Sequence, residues 1–475
     1  MTASARHLLR FALVVLGLAL SSACSLAVGS FEECKADADC LAKGVDLVCS
    51  QKMCVSGVPS DDPMAQRCSR KLGIGGANSI VLGALLPFTT ANGKDDDPRG
   101  QTRANAIQLA VDEINQRQGV NGKRPFEVVV CDSSGDGEKA KEVADWLVQT
   151  RQPVALIAGG SAETIAISAV TVDRGVLLMS ASATSAEITS MRKQRDGDPA
   201  PLVWRAAPSD AIQGKVIADL LLPEAAAGTR IAEMIVDDPY GQGLAAVFEA
   251  RYGAGEKQAF LFDKDGDPSL AIAQAEAYAP TVTLLIGFPN DVTAILNAVA
   301  SKEALRRSQW FFTDSAKSSA VFSALADTAF LEGARGTAPA TLSGTAYESF
   351  RTRYRSKFNA DPNDTSFTAH SYDATYLLAL AASWAATSAG DQPITGVRMA
   401  LGLTHLSSGE PRSLELSEYI TMRNALEAGT SINVTGASGL LDFDPVTGEA
   451  PSSIEVWKYT QAGGISNVEI RPPPK

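Results

Sequence analysis

Short apolar segments alternate with helical patterns along most of this 475-residue chain, and this alternation limits the possible folds more than any other feature. A first series of such segments lies at residues 80–86, 101–117, 126–131, 138–150, 155–158 and 175–179. Strands that are separated by helices pair in parallel, because each connection has to return across a face of the sheet. The first series therefore predicts a parallel sheet with helices on both faces.

A second series of similar size follows the first. Its segments lie at residues 212–222, 230–236, 241–252, 259–262, 270–278, 282–286, 291–301 and 309–313. Later helical patterns lie at 347–358, 366–388 and 415–428, before a last strand at 453–459. Two series predict an α/β fold with two lobes and a ligand cleft between the carboxyl ends of their strands. We assign residues 79–206 and 340–439 to lobe 1, and residues 207–339 and 440–470 to lobe 2.

Residues 1–23 predict a signal segment rather than part of the fold. Two arginines precede an apolar stretch, and small residues then lead to Cys24. This arrangement resembles a bacterial lipoprotein signal, in which Cys24 would become the lipidated first residue of an exported protein. Ordinary secretory cleavage nearby is the alternative, since Ser21 stands where such signals usually have leucine.

The chain has seven cysteines, and lipidation of Cys24 would leave an even six. Residues 24–54 form a Cys-rich module too short to bury a core, so we expect disulfides to stabilise it. Zinc is the alternative, but the spacings fit it poorly and no histidine lies nearby. Among three connectivities for the module, we pair Cys34 with Cys49 and Cys40 with Cys54. Cys68 would pair with Cys131 and tie the linker predicted at residues 55–78 to lobe 1.

Composition and motifs argue against catalysis and against nucleic acid as a partner. The formal charge is −12, which disfavours a nucleic acid. The three histidines stand in no nucleophile, zinc or phosphate-loop motif, so we predict no enzyme activity, no metal and no cofactor. Residues 263–267 (DKDGD) superficially resemble a calcium loop, but the glycine comes too early and Gln274 replaces the usual glutamate. A solvated turn is the better interpretation.

Hydroxyl side chains follow two successive strands of the first series. Ser161 comes after the strand at 155–158, and Ser182 and Thr184 come after the strand at 175–179. Together with the amides of a helix N-terminus, such hydroxyls can bind a small anion such as a carboxylate. N-capping is the alternative for each residue alone. Three of them at the ends of successive strands favour a binding site.

Several longer segments resemble one protein family. They read VLGALLPFTTANG, LMSASATSAEIT, RIAEMIVDDPYGQG and QWFFTDSA, in this order along the chain. They resemble the type I periplasmic binding proteins, in particular the leucine/isoleucine/valine-binding branch that serves ATP-driven importers. The resemblance covers roughly residues 79–459. It implies a two-lobed fold that holds an amino acid or related small carboxylate between its lobes.

The resemblance also implies roles for the hydroxyls of lobe 1. Ser161 matches the serine that holds the ligand carboxylate. Ser182 and Thr184 match the pair that contacts the carboxylate and the amino group through backbone and hydroxyl.

Three residues of lobe 2 match the other side of the family's site. Tyr240 matches a tyrosine that closes over the ligand, Phe288 falls where an aromatic often stands, and Asp314 falls where an acid binds the ligand's ammonium. Asp314 is shorter than the common glutamate, Phe288 has no hydroxyl, and the loop at 91–100 is unusually charged. These departures argue against a branched-chain amino acid in particular.

The sequence as a whole predicts a solute-binding protein of the periplasm or cell envelope, anchored by lipid on Cys24. Hinge closure would trap a small molecule, and a membrane permease of an ABC importer would recognise the closed form. A sensor or envelope scaffold of the same fold is the main alternative, and an enzyme is the weakest. Permease and ATPase genes beside this one would favour transport.

Overall fold

The computed structural model describes residues 62–93, 95–225, 228–340, 344–388 and 392–474, together with two short strands nearer the N-terminus. The predicted signal segment and Cys24 lie outside the described residues. The two short strands, β1 (Leu47–Ser50) and β2 (Met53–Ser56), form an antiparallel hairpin in which Cys49 stands opposite Cys54. The predicted partners of these cysteines, Cys34 and Cys40, also lie outside the described residues, so both pairings stay predictions.

A six-stranded sheet organises the first half of the main body. Its strands are β3 (Arg70–Gly73), β4 (Ile80–Leu86), β5 (Phe126–Asp132), β6 (Ala155–Ala158), β7 (Leu177–Ser180) and β8 (Val203–Arg205). They lie in the order β3-β5-β4-β6-β7-β8. All neighbours pair in parallel except β3, which runs antiparallel to β5 at the edge.

A seven-stranded sheet organises the second half. Its strands are β9 (Ile231–Val236), β10 (Lys257–Phe262), β11 (Val282–Ile286), β12 (Gln309–Phe312), β13 (Arg335–Pro339), β16 (Ile454–Thr460) and β17 (Gly464–Arg471). They lie in the order β10-β9-β11-β12-β13-β16-β17. The first five are parallel, and β16 and β17 add an antiparallel edge. A separate parallel pair joins β14 (Glu410–Ser413) to β15 (Ile432–Thr435).

Helices connect the strands and cover the sheets. In chain order they are α1 (Pro63–Arg67), α2 (Pro98–Gln116), α3 (Gly137–Arg151), α4 (Ser161–Arg174), α5 (Glu187–Ser190), α6 (Asp210–Ala225), α7 (Pro239–Tyr252), α8 (Ser269–Tyr278), α9 (Pro289–Ala298), α10 (Glu303–Arg307), α11 (Ser319–Ser323), α12 (Thr345–Phe358), α13 (Thr368–Thr387), α14 (Gly396–Leu403) and α15 (Tyr419–Glu427). Single 3₁₀ turns occur at Val299–Ser301, Asp314–Ala316, Ala329–Leu331 and Pro362–Asp364. In the described part of the chain, no helix combines the length and apolar character that a membrane crossing requires.

Each sheet has its own hydrophobic core, so the main body is two-lobed. The first core contains α13, which is buried almost all round and is therefore a central helix rather than a surface one. It also includes Leu441, Phe443 and Ala450, whereas Trp457 and Tyr459 belong to the second core. The core thus favours a last crossing between lobes after Ala450, later than the boundary at 439 expected from sequence.

In three stretches the structure contains elements that the sequence analysis does not predict, for physical reasons. The stretch expected as a linker at 55–78 contains α1 and β3, because Arg70–Gly73 finds backbone partners at the edge of β5. Arg335–Pro339 has poor strand-forming residues but pairs on both sides. Gly464–Arg471 is an exposed edge strand without apolar alternation, so no local sequence pattern predicts it.

Cys68 and Cys131 form a disulfide, the pairing expected from sequence. Cys131 lies in β5, the strand that also pairs with β3. The bridge therefore joins the start of the main body to an inner strand of the first sheet.

We expect the Cys68→Ala/Cys131→Ala double variant to lose about 4 kcal/mol of unfolding free energy. The bond closes a loop with a sequence separation of 63, and a loop of this size lowers the entropy of the unfolded chain by about that amount. Urea denaturation of the oxidised protein measures the loss. The Cys68→Ser/Cys131→Ser variant is the matched control and should lose a similar amount. An unchanged midpoint in both variants would contradict the stabilising role.

Candidate functional site

Three strands of each sheet end side by side and supply the two walls of a cleft. In the first sheet these are β4, β6 and β7, and in the second sheet β9, β11 and β12, each set consecutive in strand order and parallel. Carboxyl ends of parallel strands meet at one edge, where loops and helix N-termini collect polar groups. All six residues predicted for ligand binding follow one of these ends, and all six are buried.

On the first wall, Ser161 connects two of the loops. Its Oγ accepts hydrogen bonds from the backbone amides of Thr184 (3.2 Å) and Ser185 (3.1 Å). Ser161 is the first residue of α4, and its hydroxyl serves the neighbouring loop rather than capping its own helix. The hydroxyl of Ser182 is buried and has no hydrogen-bond partner in the described structure. The structure thus brings the three predicted hydroxyl residues into one loop system.

On the second wall, Tyr240 and Asp314 are joined directly. The Tyr240 hydroxyl donates to Oδ1 of Asp314 at 2.9 Å and lies 2.8 Å from Oγ1 of Thr313. The Nε2 of Gln213 donates to the same Oδ1 at 3.0 Å. Phe288 packs against Tyr240 with ring centroids 5.4 Å apart. The three predicted residues of lobe 2 therefore form one cluster, and Gln213 is a member that sequence reasoning missed.

The two walls touch each other. The amide of Ala91 donates to Oδ2 of Asp265 at 3.0 Å, and Oγ of Ser366 donates to the carbonyl of Asp314 at 2.7 Å. Gly243, in α7, lies so close to Ser185 that an added Cβ would stand 2.8 Å from its Oγ. These contacts show that the two lobes are closed against each other.

Arg99 is a cleft residue that sequence reasoning missed. Its guanidinium forms an ion pair with the carboxylate of Asp97, and Nε donates to Oδ1 at 2.9 Å. The guanidinium carbon also lies 4.6 Å from the ring centroid of Phe288 in the opposite lobe. Burial opposes the charge of Arg99, but the Asp97 carboxylate outweighs it, so the pKa of Arg99 is raised. Asp97 also caps α2 through the amide of Arg99. This pair is internally neutral, and it explains part of the charge noted in the loop at 91–100.

Arg103 lies one turn further along α2 and was also missed. It is buried, and its Nε has no hydrogen-bond partner. The guanidinium lies 5.6 Å from the ring centroid of Phe367. Burial and the like charge of Arg99 lower the pKa of Arg103 to about 10, so it keeps its charge at neutral pH. A sequence signal existed: Arg103 stands four residues before Ile107, on the apolar face of the helix.

His370 stands close to this arginine. It is buried against Phe367, with ring centroids 5.3 Å apart, and its Nδ1 has no hydrogen-bond partner in the described structure. Burial, with the charge of Arg103, lowers the pKa of His370 to about 3. The imidazole is therefore neutral and serves as a packing group of the cleft.

Asp210, the first residue of α6, adds a second buried carboxyl group near Asp314. Neither of its oxygens has a well-formed hydrogen bond in the described structure, although the hydroxyl of Thr184 favours its charge. Burial and the charge of Asp314 raise the pKa of Asp210. Burial also raises the pKa of Asp314, against the bonds from Tyr240 and Gln213. The closed cleft therefore holds two carboxyl groups whose charged forms are poorly compensated.

Among the described residues, no three His, Cys, Asp or Glu side chains are grouped so that they could hold a metal ion. In the loop that superficially resembles a calcium site, Asp267 accepts from the amide and hydroxyl of Ser269, and the Asp265 amide donates to Asp291. The Asp267 carboxylate thus serves a local turn contact, and the Asp265 carboxylate accepts from the amide of Ala91.

Comparison with known proteins gives consistent results. A family model described as periplasmic binding protein matches residues 79–415. The chemotactic signal transduction system substrate-binding protein BasB of Halobacterium salinarum is 26% identical over 376 residues, 78% of this chain and 85% of BasB. The leucine-, isoleucine-, valine-, threonine- and alanine-binding protein of Pseudomonas aeruginosa is 32% identical over 171 residues, 36% of this chain and 42% of that protein. The structure of a leucine-binding protein, LivK of Thermotoga maritima, superposes with a TM-score of 0.65 at 19% identity, covering 83% of this chain and 99% of LivK.

We expect Asp210→Asn to raise the unfolding free energy of the unliganded protein at pH 8 by about 1–3 kcal/mol, the cost of one buried unsatisfied group. The folded-state pKa of Asp210 lies above its unfolded value near 3.9. Between the two values the folded state binds more protons, so wild-type stability falls as pH rises through this window. The variant should lose this fall, and its advantage should vanish near pH 4. Denaturation midpoints from pH 4 to 8 measure it. The surface variant Asp173→Asn is the control, and equal pH profiles for Asp210→Asn and wild type would contradict the assignment.

Proposed function

The chain belongs to the periplasmic binding protein family, and from this premise we propose that it captures a small carboxylate ligand between its two lobes. The family places such proteins in the periplasm or cell envelope. The ligand class that we favour is an amino acid or a related small acid. No catalytic step is part of the proposal.

The observation that carries the proposal is a set of buried polar atoms without partners between the lobes. In the described structure these are Oγ of Ser182, both carboxylate oxygens of Asp210 and Nε of Arg103. Each buried polar group left unpaired costs about 1–3 kcal/mol. A ligand that brings complementary groups would recover this free energy when the lobes close. The cleft is therefore suited to bind a polar small molecule.

We assign the carboxylate of the ligand to the first wall. Ser182 offers a free hydroxyl, and Thr184 and Ser185 offer amides that now donate to Ser161. A carboxylate could accept these donors, and Ser161 would then turn its hydroxyl to the ligand as well.

We assign an ammonium group of the ligand to the second wall. Asp314 and Asp210 lack a cationic partner at bonding distance, and a ligand ammonium would stabilise the charged forms of both. Tyr240 and Phe288 would cover the ligand, because they pack together beside Asp314. Closure over the ligand would exclude water and strengthen both charge interactions.

Transport is the role that we propose for the closed form. A permease of an ABC importer would recognise the closed lobes, and a lipid on Cys24 would keep the protein at the membrane. Neighbouring permease and ATPase genes would support this role.

A sensory role is the second candidate, and one comparison favours it. BasB, named for chemotactic signal transduction, aligns with a far larger share of this chain than the amino-acid-binding relative does. In a sensor, the closed form would dock on a membrane receptor rather than on a permease. An isolated gene without transporter neighbours would favour this candidate.

We expect one member of a panel of amino acids and small carboxylates to stabilise the mature protein. At a concentration of 100 Kd, a ligand adds about 2.7 kcal/mol to the unfolding free energy. Asp314→Asn should weaken amino acids at least tenfold but leave their des-amino analogues nearly unchanged, since only the former place an ammonium beside Asp314. Thermal shift and calorimetry measure both effects, with Asp173→Asn as the control. Equal losses for both ligand classes would contradict the role of Asp314.

We expect Gly243→Ala to weaken ligand binding about tenfold by holding the lobes apart. The new Cβ would meet Ser185 across the cleft at 2.8 Å, while alanine itself favours the helix by roughly 0.5–1 kcal/mol. The variant should therefore be at least as stable as wild type but bind ligand more weakly. In the presence of ligand, its radius of gyration should be larger than that of wild type. Gln242→Ala, on the exposed side of the same helix, is the control. Wild-type affinity and compaction in Gly243→Ala would count against closure at this contact.

A further inference from the structure

Arg103 has no partner of its own, although several acids surround it. Asp97 is held by Arg99, Glu163 by the Ser133 hydroxyl and the Gly160 amide, and Asp314 by Tyr240 and Gln213. Arg103 itself forms no ion pair or hydrogen bond with any residue of the described structure. A guanidinium has five N–H donors, so it enters the closed cleft with most of its bonding capacity unused.

The position of Arg103 lies between the lobes. Its charge interacts with Glu163 on the first wall and with Asp314 on the second. The ring of Phe367 supports one face of the guanidinium, and the neutral His370 packs on the same ring. A flat cation supported on an aromatic face with free edge donors is suited to bind a planar anion in bidentate fashion.

The backbone of Phe367 supports this interpretation. Phe367 adopts φ 70°, in the left-handed region that large side chains rarely occupy. Such a conformation costs of order 1–3 kcal/mol and persists where the surrounding structure requires it. Here it places an aromatic ring beside an unpaired cation, immediately before the start of α13.

The anion that Arg103 would bind differs from the carboxylate at Ser182. Arg103 belongs to the helix after β4, whereas Ser182 follows β7, and β6 lies between these strands. The two groups therefore approach the cleft from different strand ends, and both Oγ of Ser182 and Nε of Arg103 lack a hydrogen-bond partner in the described structure. A ligand that carries one anionic group for each of them would satisfy both.

We infer that the ligand carries a second anionic group and that Arg103 binds it, which makes acidic amino acids the preferred ligand class. This inference rests on the proposed function, because it assumes that a ligand occupies the cleft. The α-carboxylate contacts the loop of Ser182 and Thr184, the ammonium contacts Asp314, and the side-chain carboxylate contacts Arg103. The two poorly compensated carboxyl groups and the unpaired guanidinium then each gain a partner of opposite charge.

Calorimetry with L-glutamate, L-glutamine, L-leucine and glutarate tests the inference. Glutamate and glutamine have nearly the same shape. They differ in the side-chain group, a charged carboxylate or a neutral amide, that Arg103 would contact. We expect wild type to bind glutamate at least 30-fold more tightly than glutamine. Arg103→Met should remove this preference by weakening glutamate while glutamine binds unchanged or better. Arg103→Lys should retain part of the preference, because lysine keeps the charge but loses the planar fork. Arg251→Met, an exposed arginine of α7, is the matched control and should behave as wild type.

The outcomes separate the two claims. If wild type binds glutamine or leucine as tightly as glutamate, and Arg103→Met changes nothing, the role of Arg103 is overturned while capture of a small carboxylate stands. If none of the four compounds binds wild type but another amino acid or carboxylate of the wider panel does, the inference is overturned and the proposed function stands. If no compound of either set binds, both are overturned. If Arg103→Met does not fold, the wild-type ratio of glutamate to glutamine and the same ratio in Arg103→Lys decide the question.

Discussion

Parallel strand pairing is the constraint on which the rest of this structure depends. Because β4, β6 and β7 run in one direction, as do β9, β11 and β12, their carboxyl ends are forced to one edge of each sheet. Every helix that starts there contributes unpaired amides and a favourable end of its dipole. The polar cleft follows from this geometry, and each lobe completes its own hydrophobic core without it. Two independent cores are what allow the lobes to move as bodies.

Much of this arrangement could be predicted, because the responsible signals are local. The strands at Ile80–Leu86, Ala155–Ala158 and Val282–Ile286 are apolar runs bounded by turns, and the sequence placed all three correctly. Ser161 follows a strand end, so the strand pattern alone locates it, whereas Tyr240 and Asp314 are located by the resemblance to the family. Their roles toward a ligand come from family resemblance and stay predictions.

The missed parts depend on contacts between distant segments. Arg335–Pro339 is a strand only because β12 and β16 flank it, and Phe367 takes a left-handed conformation that its own sequence does not favour. Arg103 is not among the residues that the sequence predicts for the site. Its burial results from α13 and lobe 2 closing over it, and neither is visible in a pattern of 19 residues.

Arg99 and Arg103 lie one turn apart on α2, and their contacts differ. Arg99 stabilises the closed cleft, whereas Arg103 is left for a ligand. Arg99 pairs with Asp97 and lies over the ring of Phe288 in the opposite lobe, so it helps to hold the closed form without a ligand. In the described structure, Arg103 has only the ring of Phe367 as a partner. The carboxyl groups of Asp314 and Glu163, which interact with its charge, are hydrogen-bonded to other residues. An unpaired buried charge is expensive, and replacing it by an apolar residue would usually stabilise a protein. The closed cleft leaves the cation Arg103 on one side and the acids Asp210 and Asp314 on the other. A ligand that carries both signs of charge would therefore stabilise the closed form more than an empty cleft does.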